Sequence, residues 1–113
     1  MAIQTSNVTS SGTTVYTSNG NSVVTFLSLT NYTANTVSAN IHIVPNNAGS
    51  VGTANIQNLA VVSLDIVSNG VSTGDTYQLY VGNEKLVLSN NDTIQVVANA
   101  NNAINAIVSY TGA

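Results

Sequence analysis

The chain of 113 residues has no cysteine, one proline, one histidine and a single Lys or Arg, which is Lys85. Without cysteine there is neither a disulfide framework nor a thiolate metal site, and composition leaves the redox compartment open. One cation excludes phosphate neutralisation along a nucleic acid, which requires several Lys or Arg side chains. Adsorption to an anionic membrane surface is excluded for the same reason. No apolar run approaches the roughly 18 residues of a helical membrane span. The start, Met1 to Ser6, carries neither the basic region nor the apolar stretch of a signal peptide, so maturation in a cytoplasm is expected.

Charged residues are 4% of the chain and the formal net charge is −3, whereas about 25% charged is ordinary. The polar surface must therefore be built from Asn, Ser, Thr and Gln, which hydrogen-bond without repelling a neighbouring copy. Such a surface suits a packed homo-oligomer, a trimer among the options, though a source that favours Asn and Thr would leave the same composition. Hydrophobic residues make up 43%, enough for one core. The length fits a single domain over 1–113, with 1–11 read as an extended N-terminal arm or a first edge strand.

What the chain does have is strand and turn chemistry. Thr13 to Thr17 is β-branched and aromatic, and Ser18-Asn19-Gly20-Asn21 after it predicts a type I′ hairpin into Ser22 to Thr30. That second run is apolar on both faces, which predicts a central strand with Val23, Leu27 and Leu29 on one face and Val24 and Phe26 on the other. Thr36 to Val44 alternates, placing Val37, Ala39, Ile41 and Ile43 inward and Ser38, Asn40 and His42 outward, until Pro45 stops it. Asn46 to Ala54 is a glycine-containing loop long enough to reach a neighbour. In Asn55 to Val67 helical spacing competes with β-branched content, which favours strand.

Ser68-Asn69-Gly70 and Ser72-Thr73-Gly74 read as turns, and Asp75 to Val81 as extended. Leu79 to Ala98 reads as a β-meander with turns at Gly82-Asn83 and Ser89 to Asn91. Ala103 to Tyr110 closes the chain with Ile104, Ala106, Val108 and Tyr110 on one face. The expectation is an all-β fold: one antiparallel β-sandwich, Ig-like or jelly-roll-like, of about eight short strands with little or no helix.

Chemistry finds little purchase. His42 stands alone mid-strand without a second histidine or a nearby carboxylate, so a surface or interface role is expected over a base for Ser38 or a metal ligand. The carboxylates of Asp65, Asp75, Glu84 and Asp92 could pair for glycoside hydrolysis, but three of the four adjoin turn residues and fit backbone capping better. Asn90-Asn91-Asp92 lacks the spacing of a calcium loop. The dispersed glycines open no helix as a phosphate loop requires. Asn7-Val8-Thr9, Asn31-Tyr32-Thr33 and Asn91-Asp92-Thr93 match the glycosylation pattern, as expected by chance in so Asn- and Thr-rich a chain. No catalytic, cofactor or metal residue is therefore assigned. Glu84 and Lys85, adjacent and facing opposite ways in a strand, stand out as subunit contacts, with Tyr32 and Asn47 in loops beside them. Tyr32 is also the tyrosine best placed to stack on a sugar.

V-Y-T-S-N-G-N-S-V-V-T-F-L-S-L-T-N from Val15, I-H-I-V-P from Ile41, G-D-T-Y from Gly74 and E-K-L-V-L-S-N-N-D-T-I from Glu84 together resemble the small β-rich virion proteins of tailed bacteriophages, including those of marine cyanobacterial phages. The resemblance spans most of the chain from Tyr16 to Tyr110 and rests on strand-and-turn signatures, so it transfers no functional residue. It implies a non-enzymatic structural component of a virion assembled in the host cytoplasm. Within that class the expectation is a capsid decoration, or cement, protein binding the major capsid protein or other virion proteins. The alternatives are a neck, tail or baseplate component, or a carbohydrate- or receptor-binding module.

Overall fold

In the computed structural model, which describes residues 2–33, 35–46, 52–66, 76–79 and 85–112, the β-branched runs form nine strands. These are β1 (Ala2–Val8), β2 (Thr13–Thr17), β3 (Ser22–Asn31), β4 (Val37–Val44), β5 (Leu59–Ile66), β6 (Thr76–Leu79), β7 (Leu86–Leu88), β8 (Thr93–Ala98) and β9 (Ile104–Gly112). A single 3-10 turn, Ile56–Asn58, precedes β5, so the span from Asn55 is a short helical turn followed by a strand. One sheet, here sheet A, runs β1-β9-β3-β6 with β7 also on β3; the other, sheet B, runs β2-β8-β4-β5. All pairings are antiparallel. β6 pairs with Leu27–Thr30 and β7 with Ser22–Val24, so the two lie end to end along one edge of β3 and fill one strand position.

Consecutive strands cross from one sheet to the other at every step except β4 to β5 and β6 to β7. Two four-position sheets wound in this way form a jelly roll. The Ig-like alternative is set aside, because its hairpins join neighbours within a sheet. Two expectations fall with it. Asn19-Gly20 does not close a hairpin: β2 lies in sheet B and β3 in sheet A. Gly20 takes a φ of 69° but Asn19 is not among the residues with positive φ, and a type I′ turn needs both. Leu86–Leu88 and Thr93–Ala98 likewise sit in different sheets, so the stretch read as a meander is an edge segment followed by a crossover. Of the two readings of the N-terminal segment, arm or first edge strand, the edge strand is what forms, since Ala2–Val8 pairs with β9 over its whole length.

β9 and β3 form the middle of sheet A and supply much of the core, including Ile104, Ala106, Val108, Val24, Leu27 and Leu29, all buried. Val24 and Leu27 share the inner face despite odd spacing because the pairing with β9 slips by one residue between Val24 and Phe26. Phe26 lies outward, opposite Leu27, as alternation predicts, but the bulge puts Val24 inward and Val23 outward, the reverse of a reading by strict alternation. Thr25, the extra residue, donates its hydroxyl to the carbonyl of Ser109 at 3.2 Å. Sheet B contributes Val15, Val37, Ala39, Ile41, Ile94 and Val96.

Polar ties cross the sandwich. Tyr16 packs against Tyr110 with ring centroids 4.5 Å apart and planes tilted by 40°, and donates its hydroxyl to Ser22 Oγ at 2.9 Å, joining β2 to the start of β3. Asn31, fully buried, donates Nδ2 to the carbonyls of Ile66 at 2.8 Å and Asn35 at 2.6 Å. Its Oδ1 accepts from Thr33 N at 2.9 Å and Thr33 Oγ1 at 2.7 Å. Asn31 thus pins the end of sheet A to the end of sheet B, and its buried position leaves the Asn31-Tyr32-Thr33 glycosylation pattern unusable in the folded chain.

Candidate functional site

Of the residues singled out for contacts, Asn47 and Glu84 lie outside the described residues, as do the turns expected at 68–70 and 72–74 and the carboxylate of Asp75. Lys85 is exposed at the start of β7. Tyr32, 43% exposed, follows β3 at the end of sheet A, and its backbone N–H donates to the carbonyl of Ala103 at 3.0 Å. The structure does not bring Tyr32 and Lys85 together: β3 runs from the β7 end of the sheet, at Ser22, to Tyr32 at the other end.

Asp92 is a turn residue. Its Oδ1 accepts from Asn46 N, just after β4, at 2.6 Å and its Oδ2 from Ser89 N, in the β7–β8 crossover, at 2.9 Å, so both oxygens are committed to backbone donors. Asn90 Oδ1 accepts from Gly20 N at 2.8 Å, which ties this crossover to the one between β2 and β3. Oxygens bound in this way are not assembled around a cation, and among the described residues no cluster of three or more His, Asp or Glu gathers at one point.

His42 differs from expectation. It projects from the outer face of sheet B, yet it is 8% exposed because the chain from Gly52 to Asn58 folds back over that face. The ring Nδ1 donates to the carbonyl of Asn55 at 3.1 Å. Beside it in register, Gln95 accepts from Ala54 N at 3.2 Å and donates to the carbonyl of Gly52 at 3.0 Å. His42 and Gln95 therefore clamp a flap to the sheet. Ser38 lies four residues away along the strand, about 13 Å at the rise of an extended chain, so no Ser–His pair forms. The sequence gives no cue for this burial, since the covering segment belongs to a loop of neutral residues.

Two surface features remain. In the first, Asn7 Nδ2 donates to Tyr32 Oη at 3.1 Å and to Asn105 Oδ1 at 3.0 Å. The three side chains adjoin a shallow groove of about 370 Å³ lined by Thr5, Ser6, Asn7, Asn105, Ala106 and Ile107. The sequence marks Asn7 only as a chance glycosylation match and Asn105 not at all; their opposition in the β1–β9 register is what brings them to Tyr32.

The second is the outer face of sheet A. Register places Ile3, Ser109 and Phe26 in one row, Thr5, Ile107, Ser28 and Gln78 in the next, and Asn7, Asn105, Thr30 and Thr76 in a third. Thr111, Val23 and Val87 extend it at the β7 end. No residue in these rows is charged, and Ile3 and Val87, each 68% exposed, stand among Ser, Thr and Asn. This is a broad neutral sheet surface carrying separated apolar side chains. No protein-family model, curated protein or solved structure matches the chain.

Proposed function

We propose that the protein is a non-enzymatic virion structural protein of a tailed bacteriophage, a capsid decoration protein that lies on the major capsid protein shell with the outer face of sheet A. The observation that carries this reading is the absence of charge in the described rows of that face, combined with exposed Ile3, Ile107 and Val87. Neutral hydrogen-bonding residues around separated apolar anchors suit a wet contact of moderate strength, and repetition over a shell multiplies weak contacts by avidity. Two further supports are analogies: jelly rolls recur among viral capsid domains, and the strand-and-turn signatures resemble small phage virion proteins. Quantifying the proteins of purified particles tests it. A copy number comparable with that of the capsid protein is expected; a few to a dozen copies would move the protein to the neck, tail or baseplate. Ile107→Lys is expected to abolish binding to undecorated shells without changing the melting curve.

The cluster of Tyr32, Asn7 and Asn105 favours a second reading, a carbohydrate-binding module. An exposed ring beside two amides offers a stacking surface and both hydrogen-bond polarities for sugar hydroxyls. A glycan array read with wild type and Tyr32→Ala decides it: signal lost in the variant supports the module, and no signal from protein alone or assembled removes it.

A further inference from the structure

The two sheets have four free edges, and they differ in how they are protected. β2 carries a register shift between Thr14 and Tyr16, and β4 meets the edge strand β5 through two irregularities around Ile41. The β6/β7 edge is split into pieces of four and three residues, with Lys85 immediately before the second. Bulges, short pieces and lysine are the devices by which a sheet edge resists pairing with another chain. β1 has none of them. Its seven residues, A-I-Q-T-S-N-V, run in unbroken register with β9 and include no charge, proline or glycine. Among the described residues only its end is covered, where Thr9 meets Thr13 and Ala98, and the backbone groups of Ala2 to Asn7 on the side away from β9 form an open row.

We propose that the free edge of β1 pairs antiparallel with β1 of a second copy, joining two sheets A into one continuous sheet across a two-fold axis. The second copy is favoured over a foreign strand because β1 is compatible with itself. A dyad through Thr5 sets Thr5 against Thr5, Gln4 against Ser6 and Ile3 against Asn7, a ladder with no like charges opposed. β9, the next strand inward, is likewise uncharged from Ile104 to Gly112, so two chains of net charge −3 meet along their neutral margins. The dimer also carries the neutral outer face across the axis, giving a doubled surface without a step in charge. The pairing stands independently of the virion reading, since it concerns the isolated protein.

Sedimentation equilibrium from micromolar to submillimolar concentration tests this, together with hydrogen exchange along β1. Wild type is expected at twice the chain mass, with all amides from Ile3 to Asn7 protected. Thr5→Lys, at an exposed position, is expected at the chain mass, with a cooperative melt that no longer depends on protein concentration and protection only at those amides that face β9. Val87→Lys, on the opposite edge of the sheet, is expected to remain dimeric. A wild type that stays at the chain mass throughout, or a dimer that survives in Thr5→Lys with alternate β1 amides still exchanging freely, overturns the proposal.

Discussion

Asn31 carries a polar side chain with no access to solvent, and each of its amide atoms serves two partners. Truncation would leave the carbonyl of Ile66 short of a partner in a buried place, where an unsatisfied group costs about 1–3 kcal/mol, and would also release Thr33 N and the carbonyl of Asn35 in part-buried surroundings. Asn31→Ala is therefore expected to lose about 3 kcal/mol in urea unfolding. Asn31→Asp should lose at least as much, since a carboxylate oxygen would face carbonyls that now accept from Nδ2. A loss near zero for both would refute the cross-sheet tie. None of this was legible locally: N-Y-T-A-N reads as loop, and the decisive partner, Ile66, is 35 residues away. Gly20 was legible in part. Its φ of 69° is the left-handed conformation that Asn-Gly predicts, and open space surrounds it. Gly20→Ala is expected to lose about 1–2 kcal/mol from conformation alone in the same assay.

At the scale of elements, alternation located strands well and connectivity poorly. Val37 to Ile41 and Ile104 to Val108 reveal their inner faces because one side meets the core throughout. Facing in β3 was misread because a bulge is a property of two paired strands and leaves no mark in one. Likewise, Asn-Gly and Ser-Asn-Asn state that the chain turns but not whether it returns to the same sheet. The β7 edge follows these rules: Leu88 is 3% exposed and Val87 68%. Leu88→Ala is expected to cost about 2–5 kcal/mol, and Val87→Ala less than about 0.5 kcal/mol, in parallel thermal melts; equal costs would place β7 wrongly. The flap over sheet B makes a different demand, because the one side chain of Gln95 holds both Ala54 and Gly52. Gln95→Ala is expected to speed amide exchange at Ala54 markedly while shifting the melting temperature little, since a surface segment opens as its own unit. Unchanged exchange would mean that His42 and Asn55 suffice.

The whole molecule has one Lys or Arg and four Asp or Glu in 113 residues, and that scarcity governs how it responds to salt. The Debye length falls from about 30 Å at 0.01 M to about 3 Å at 1 M ionic strength, which removes most contributions between exposed charges. Here there is little to remove: both oxygens of Asp92 already serve backbone N–H groups, and the outer rows of sheet A hold no charge. If that face is the one that meets a capsid shell, binding should depend on apolar contact and neutral hydrogen bonds. Apolar contact is unaffected by screening and is strengthened by excluded salts such as sulfate. Decorated shells are therefore expected to retain the protein from low to molar sodium chloride and to hold it slightly more tightly in sulfate, read as the fraction released after sedimentation. A release constant that rises more than roughly tenfold over that range, equivalent to about 1.4 kcal/mol, would show that charge carries the contact. The interface would then have to lie elsewhere, with Lys85 and the carboxylates the first places to look.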